Sequence, residues 1–134
     1  MEKTIIIDGK SVTFRKTGGT MLAYKRETGR EFMPDLIDVT EKAGKLAQMR
    51  SEIMNKDSGE TDNDSILEAL ENVVFPSYET IYDILHVMAR AADKSVPSDV
   101  LEWLDGFDDF DAMQVFSEIS PMLVSESQVS PKNG

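Results

Sequence analysis

The stretch from Pro76 to Phe107 constrains the fold more than any other part of the chain. Between Tyr78 and Ala92, apolar residues recur at the three- and four-residue spacing of one helical face. They are Tyr78, Ile81, Tyr82, Leu85, Met88, Ala89 and Ala92. Ser77 is suited to cap this helix, because its hydroxyl accepts a free N–H of the first turn. The pattern predicts a long amphipathic helix.

The second half of the same stretch predicts a return turn and a short helix. Pro97 marks the turn, and Ser98 is a suitable cap for a helix over Asp99–Asp105. This helix carries Trp103, the only tryptophan, and Gly106 suits the position after its end. A long helix, a proline turn and a tryptophan-bearing helix should therefore form a helical hairpin in the core.

The N-terminus predicts a β-hairpin. Thr4–Ile7 and Lys10–Phe14 are β-rich runs, and the Asp8-Gly9 pair between them is a strong turn signal because both residues tolerate positive φ. One face should carry Ile5, Ile7, Val12 and Phe14. Two strands are marginally stable alone, so this hairpin should pack on helices or on another copy of the chain.

Two helices are predicted directly after the hairpin. Thr20 should cap the helix Met21–Thr28, which Gly29 ends, with inward-facing residues Met21, Leu22 and Tyr24. A long helix should run from Phe32 to about Asn55. Its apolar stripe comprises Leu36, Val39, Ala43, Leu46, Ile53 and Met54.

The remaining segments complete a single domain over residues 1–124. An acidic loop, Asp57–Asp64, should precede a short helix at Ser65–Val74. Asp108-Asp109 should cap a last helix, Phe110–Leu123, which Pro121 kinks or ends. The polar residues 125–134 predict a disordered tail. The expected fold is mainly α with an N-terminal β-hairpin (residues 2–15): an α+β fold in which a small helical bundle packs on two strands.

Charge and composition narrow the function classes. The net charge is −11, and the chain after residue 30 holds seven Lys or Arg against twenty-two Asp or Glu. Such an acidic body argues against nucleic-acid binding. The acidity either serves solubility, or steers basic partners and limits self-association. The chain has no cysteine, and its N-terminus resembles neither a signal peptide nor a membrane span.

The sequence carries no recognisable catalytic chemistry. It lacks a phosphate-binding glycine loop, a nucleophile elbow and a metalloprotease motif. His86, the only histidine, is expected to have a surface or half-buried structural role. A calcium loop from Asp57 to Glu68 fails, because Gly59 is not a ligand and Asp62 occupies the glycine position. We therefore expect a non-enzyme without catalytic residues, metal or cofactor.

Apolar side chains are the remaining candidates for function. The chain has eight methionines, which are flexible and suit surfaces that accept varied apolar segments. Aromatic residues also concentrate around Trp103. Both sets either fill the core or line a groove for a partner helix. The candidate partner-binding residues are Tyr82, Met88, Trp103, Phe107, Phe110, Met113 and Phe116.

Several motifs resemble those of the tail assembly chaperones of long-tailed bacteriophages and prophages. The main block reads Met88-Ala89-Arg90-Ala91-Ala92-Asp93, then Pro97, then Glu102-Trp103-Leu104-Asp105-Gly106-Phe107. The N-terminal part is similar through Asp8-Gly9, Thr20, Tyr24 and Gly29-Arg30-Glu31-Phe32. The resemblance covers most of the chain outside residues 40–75, and the order of the motifs carries more weight than any one of them.

The resemblance implies a role in tail morphogenesis. Members of that family bind the tape measure protein in the host bacterial cytoplasm, keep it soluble and help recruit tail tube subunits, and they are absent from the mature virion. It implies the tape measure protein and the tail tube protein as partners. Self-association is expected from the exposed hairpin edge and surplus apolar surface, whereas nucleic acid and membranes are not expected partners. The alternatives are a structural tail or head–tail component, and an acidic inhibitor encoded by a prophage.

Overall fold

Asp8 and Gly9 reverse the chain between the two strands of the N-terminal hairpin. Both residues have positive φ, 54° and 75°, as a tight two-residue turn requires. Strand β1, Glu2–Ile7, pairs antiparallel with strand β2, Lys10–Arg15, in a register that sets Ile5 opposite Val12. Ile5, Ile7 and Phe14 are buried and Val12 is half-buried, so the predicted inner face is confirmed.

This computed structural model describes residues 1–55 and 75–124, with side chains described for 1–51 and 75–124. In that part of the chain, five helices follow the hairpin. They are α1 (Thr20–Thr28), α2 (Phe32–Asn55), α3 (Tyr78–Ala92), α4 (Val100–Leu104) and α5 (Ala112–Val124). The mainly helical α+β fold with an N-terminal hairpin is confirmed. The acidic loop 57–64, the helix 65–74 and the tail 125–134 predicted above lie outside the described residues.

Helix α3 occupies the centre of the fold. It packs against β2, α1, α2, α4 and α5. Ser77 caps it as predicted, since its Oγ accepts the N–H of Thr80 at 3.2 Å. Ile84 and Val87 are buried although they lie off the predicted stripe, because neighbours cover α3 on more than one side. Tyr78, which was placed on that stripe, is 46% exposed.

The expectation for α1 was wrong in two respects. Thr20 is the first helical residue and not its cap: its hydroxyl accepts the N–H of Thr17 at 2.9 Å. Met21 and Leu22 are 51% and 54% exposed, whereas Tyr24 is fully buried. Thr20 and Tyr24, one helical turn apart, form the inner face, so the two residues after Thr20 point outward. Gly29 ends α1 with φ of 79°, as predicted.

The starts of α4 and α5 also differ from the prediction. Asp99, and not Ser98, caps α4 by accepting the N–H of Glu102 at 3.0 Å. Asp111, and not the Asp108-Asp109 pair, accepts the N–H of Gln114 at 3.1 Å at the start of α5. Pro121 lies inside α5, which continues to Val124 and does not end there.

Candidate functional site: an aromatic strip with an acidic rim

A connected row of aromatic rings runs from the start of α3 to the loop before α5. We call it the aromatic strip: Tyr78, Tyr82, Phe110 and Phe107. Successive ring centroids are 6.3, 5.8 and 5.4 Å apart, all in edge-to-face geometry. The two phenylalanines and Tyr82 are half-buried, and Tyr78 is exposed. The strip therefore presents ring surface to solvent while its other side packs on the core.

Trp103 packs against the buried side of the strip. It is buried, with its ring 5.4 Å from Phe110 and 5.9 Å from Phe107. On its other side it lies 5.5 Å from the His86 ring. Because Trp103 lies on α4, its edge-to-face contacts with Phe107 and Phe110 join this short helix to the strip.

The seven predicted partner-binding residues divide into two groups. Met88, Trp103 and Phe116 are buried in the core. Tyr82, Phe107, Phe110 and Met113 are half-buried and packed against that core. The structure brings Tyr82, Trp103, Phe107 and Phe110 together, while Met113 and Phe116 line a separate cleft on α5. Partner binding by any of the seven stays a prediction.

Exposed carboxylates flank the strip residues along the chain. Glu79, Asp105, Asp108, Asp109 and Asp111 are all exposed and lie within three residues of a strip ring along the chain. Residues 75–124 hold ten Asp or Glu and two Lys or Arg. We call the five exposed carboxylates beside the strip residues in sequence the acidic rim.

One cation of the chain already contacts the strip. Lys10, at the start of β2, places its Nζ 5.3 Å from the centroid of the Phe107 ring. The same ammonium group donates a hydrogen bond to the carbonyl of Gly106. The Asp8 carboxylate accepts the N–H of Asp108 at 2.9 Å, so the hairpin turn fixes this loop. The electron-rich ring faces here accept a cation.

A second apolar surface lies between α2 and α5. A cleft of about 480 Å³ separates the middle of α2 from α5, with small α2 residues Ala43, Gly44 and Ala47 on one wall. Thr40 also lines a neighbouring apolar pocket of about 270 Å³. Met33, Ile37 and Val124 line that pocket and are exposed. Sequence reasoning missed this surface, although Met33 and Ile37 share a helical spacing separate from the Leu36–Val39 stripe.

His86 is fully buried, which corrects the expected surface or half-buried position. Its Nε2 lies 2.7 Å from the Pro97 carbonyl, which only accepts hydrogen bonds, so Nε2–H is the donor. Nδ1 faces Glu27 Oε1 at 3.3 Å without an aligned hydrogen bond. His86 therefore ties α3 to the turn before α4.

Two kinds of feature, a metal-binding cluster and a membrane-spanning helix, are absent from the described residues. Among the described side chains, those of residues 1–51 and 75–124, no three His, Cys, Asp or Glu group as a metal site would require. Of the helices described, none has both the length and the apolarity to span a bilayer.

Comparisons with known proteins give no relative. No family model, no curated protein and no solved structure matches the chain.

Proposed function

We propose that this protein is a tail assembly chaperone of a long-tailed bacteriophage or prophage, which binds the tape measure protein and keeps it soluble until tail tube subunits assemble around it. One observation carries the proposal. In the described part of the chain, ten large apolar side chains are 44–65% exposed on a protein of net charge −11. The motif resemblance around Trp103 supports the same function.

The proposed function requires the protein to cover apolar surface of its partner temporarily. A long helical protein with apolar stripes aggregates when those stripes meet water or one another. A small protein that contributes apolar contact area shields the stripes, and its charge keeps the complex soluble and apart from other complexes. The exposed apolar residues of α2 and the aromatic strip supply such area, and the carboxylates supply the charge.

The proposal includes place and partners. The protein would act in the host bacterial cytoplasm, contact the tape measure protein first and tail tube subunits later, and leave before the virion matures. Self-association through the free hairpin edge belongs to the proposal, since β1 and β2 form a two-stranded sheet among the described residues.

Co-expression tests the proposal. The tape measure protein of the same phage is expressed alone, with this chain, or with an unrelated acidic protein of equal net charge, and its soluble fraction is measured. We expect the soluble fraction to rise with this chain and to remain low with the acidic control. Equal solubility in all three cultures would refute the function. Stoichiometric amounts of the chain in purified virions would instead identify a structural tail component.

A further inference from the structure

We propose that the aromatic strip is the docking surface for a partner segment whose apolar anchors are flanked by Lys or Arg. This inference deepens the function proposed above and rests on it, because it names the face that binds and the chemistry that the bound segment must have.

Ring geometry makes the strip a surface for apolar anchors. Edge-to-face contacts between Tyr78, Tyr82, Phe110 and Phe107 hold the rings in fixed orientations. Rigid aromatic side chains lose little conformational entropy when a partner covers them. Buried Trp103 packs against Phe110 from the core side and so limits how far this ring can move inward. A partner residue laid on the strip would therefore find a preformed apolar site.

Charge complementarity selects the partner. The five exposed rim carboxylates would repel an acidic segment and attract a basic one. The contact of Lys10 with Phe107 shows which cation geometry the rings accept. Flanking Lys or Arg side chains of a partner could contact a ring face in the same way, with a neighbouring carboxylate in place of the Gly106 carbonyl that Lys10 uses.

A second copy of the chain fits the strip less well. Among the described residues, its exposed apolar side chains near positive charge include Met1 near Lys3, and Met21 and Leu22 near Lys25 and Arg26. The nearby Lys25 is already held by Glu31 at 2.9 Å and by the Gly29 carbonyl. A second copy also carries a net charge of −11, so two copies would repel each other overall, whereas a basic segment of a different polypeptide would be attracted.

Three synthetic peptides provide the test with the full-length chain. The first is an amphipathic helix with a leucine stripe flanked by lysines, the second replaces the lysines by glutamates, and the third scrambles the first. Binding is followed by calorimetry and by Trp103 fluorescence, at low and at physiological salt. We expect the first peptide to bind most tightly and its affinity to fall as salt screens the rim. Equal binding of the scrambled peptide would overturn the inference, because charge alone would then suffice.

Two matched pairs of variants locate the site. Asp105→Asn, Asp108→Asn and Asp109→Asn together should weaken binding of the first peptide about tenfold. The control triple removes the same charge from exposed acids elsewhere, Glu31→Gln, Asp38→Asn and Glu41→Gln, and should change affinity less than about twofold. Tyr78→Ala should weaken binding about fivefold, and Leu22→Ala, at a similarly exposed site, should not.

The outcomes separate this inference from the proposed function. All substituted side chains are exposed, so circular dichroism should show folded variants. If the variants solubilise the tape measure protein as well as the wild type and bind the peptide normally, the inference fails while the function stands. If the peptide binds at the strip but the wild type does not solubilise the tape measure protein, the function fails. Variants that alter only the oligomeric state by light scattering would assign the strip to a second copy and overturn the inference.

Discussion

Arg30 links three helices through a single guanidinium group. Its Nε donates to Asp35 on α2 at 2.8 Å, and its Nη2 donates to Asp83 on α3 at 2.8 Å. The same Nη2 lies 3.0 Å from the hydroxyl of Tyr24 on α1, which in turn donates to Asp35 at 2.6 Å. The planar, forked shape of arginine allows these contacts at once, which a lysine would not provide.

The network shifts the pKa values of three of its members, Asp35, Tyr24 and Arg30. Partial burial tends to raise the pKa of the Asp35 carboxyl, but hydrogen bonds from Tyr24 and Arg30 and the charge of Arg30 outweigh it and hold that pKa below its ordinary value. Burial, together with the hydrogen bond to the Asp35 carboxylate, raises the pKa of Tyr24 far above its usual range. The shifts at these two residues widen the pH range around neutrality in which Asp35 is ionised and Tyr24 is protonated.

Asp35→Asn should therefore reduce stability at neutral pH and flatten its acid dependence. Because the Asp35 pKa is lower in the folded chain than the ordinary 3.8, its stabilisation is complete above that pH and is lost as pH falls through the folded pKa. Since the Arg30 side chain is 40% exposed, we expect a loss of about 1 kcal/mol after solvent screening. Urea unfolding from pH 2 to 7 measures it, and an unchanged slope below pH 4 would contradict the assignment.

At the scale of the elements, helix location was easier to predict than the capping residue. The helices α1 to α5 were all expected close to where they lie, because apolar spacing repeats over several turns. The starts of α4 and α5 were assigned one or more residues early. Ser98 and Asp99 are both good caps by type, so only the backbone path decides which side chain reaches the free N–H.

Asp99→Ala should lower the free energy of unfolding by about 1 kcal/mol, whereas Ser98→Ala should be nearly neutral. The physical reason is that Asp99 accepts the N–H of Glu102, which has no other partner in the first turn of a helix. Asp99→Asn should retain most of the stability, because an asparagine oxygen caps equally well. Denaturant titrations of the three variants measure this, and equal losses for Ser98→Ala and Asp99→Ala would show that the capping assignment is wrong.

At the scale of the whole molecule, α3 connects the hairpin to the helices. Phe14 of β2 is fully buried where β2 packs on α3. Ile5 and Ile7 join the same core cluster as Trp103 and Phe116. Two strands that would be marginal alone are therefore stabilised by a helix that also contacts four others.

Phe14→Ala should cost about 3–5 kcal/mol and lower the stability of the entire described domain, because it leaves a cavity in the shared core. Ile6→Ala, on the opposite face of the hairpin at 65% exposure, should change stability by less than about 0.5 kcal/mol. Far-ultraviolet circular dichroism and Trp103 fluorescence should report coincident transitions. Separate transitions would show that the hairpin unfolds independently of the helices.

The sequence by itself determined the elements of this protein and its acidity. Three of these features depend only on neighbouring residues and can be predicted from the sequence. They are the Asp8-Gly9 turn, the apolar spacing from Tyr78 to Ala92 and the uneven charge.

The tertiary structure decided which apolar residues remain outside. Leu22 and Tyr78 have residue types that also occur in the core, yet both are exposed. His86, a polar residue, is fully buried. Spacing along a helix gives its possible faces, but which face is buried depends on how the other elements pack, and five of them pack against α3. The aromatic strip exists because α4 and the loop before α5 bring Phe107 and Phe110 beside Tyr82, a proximity that no local pattern contains.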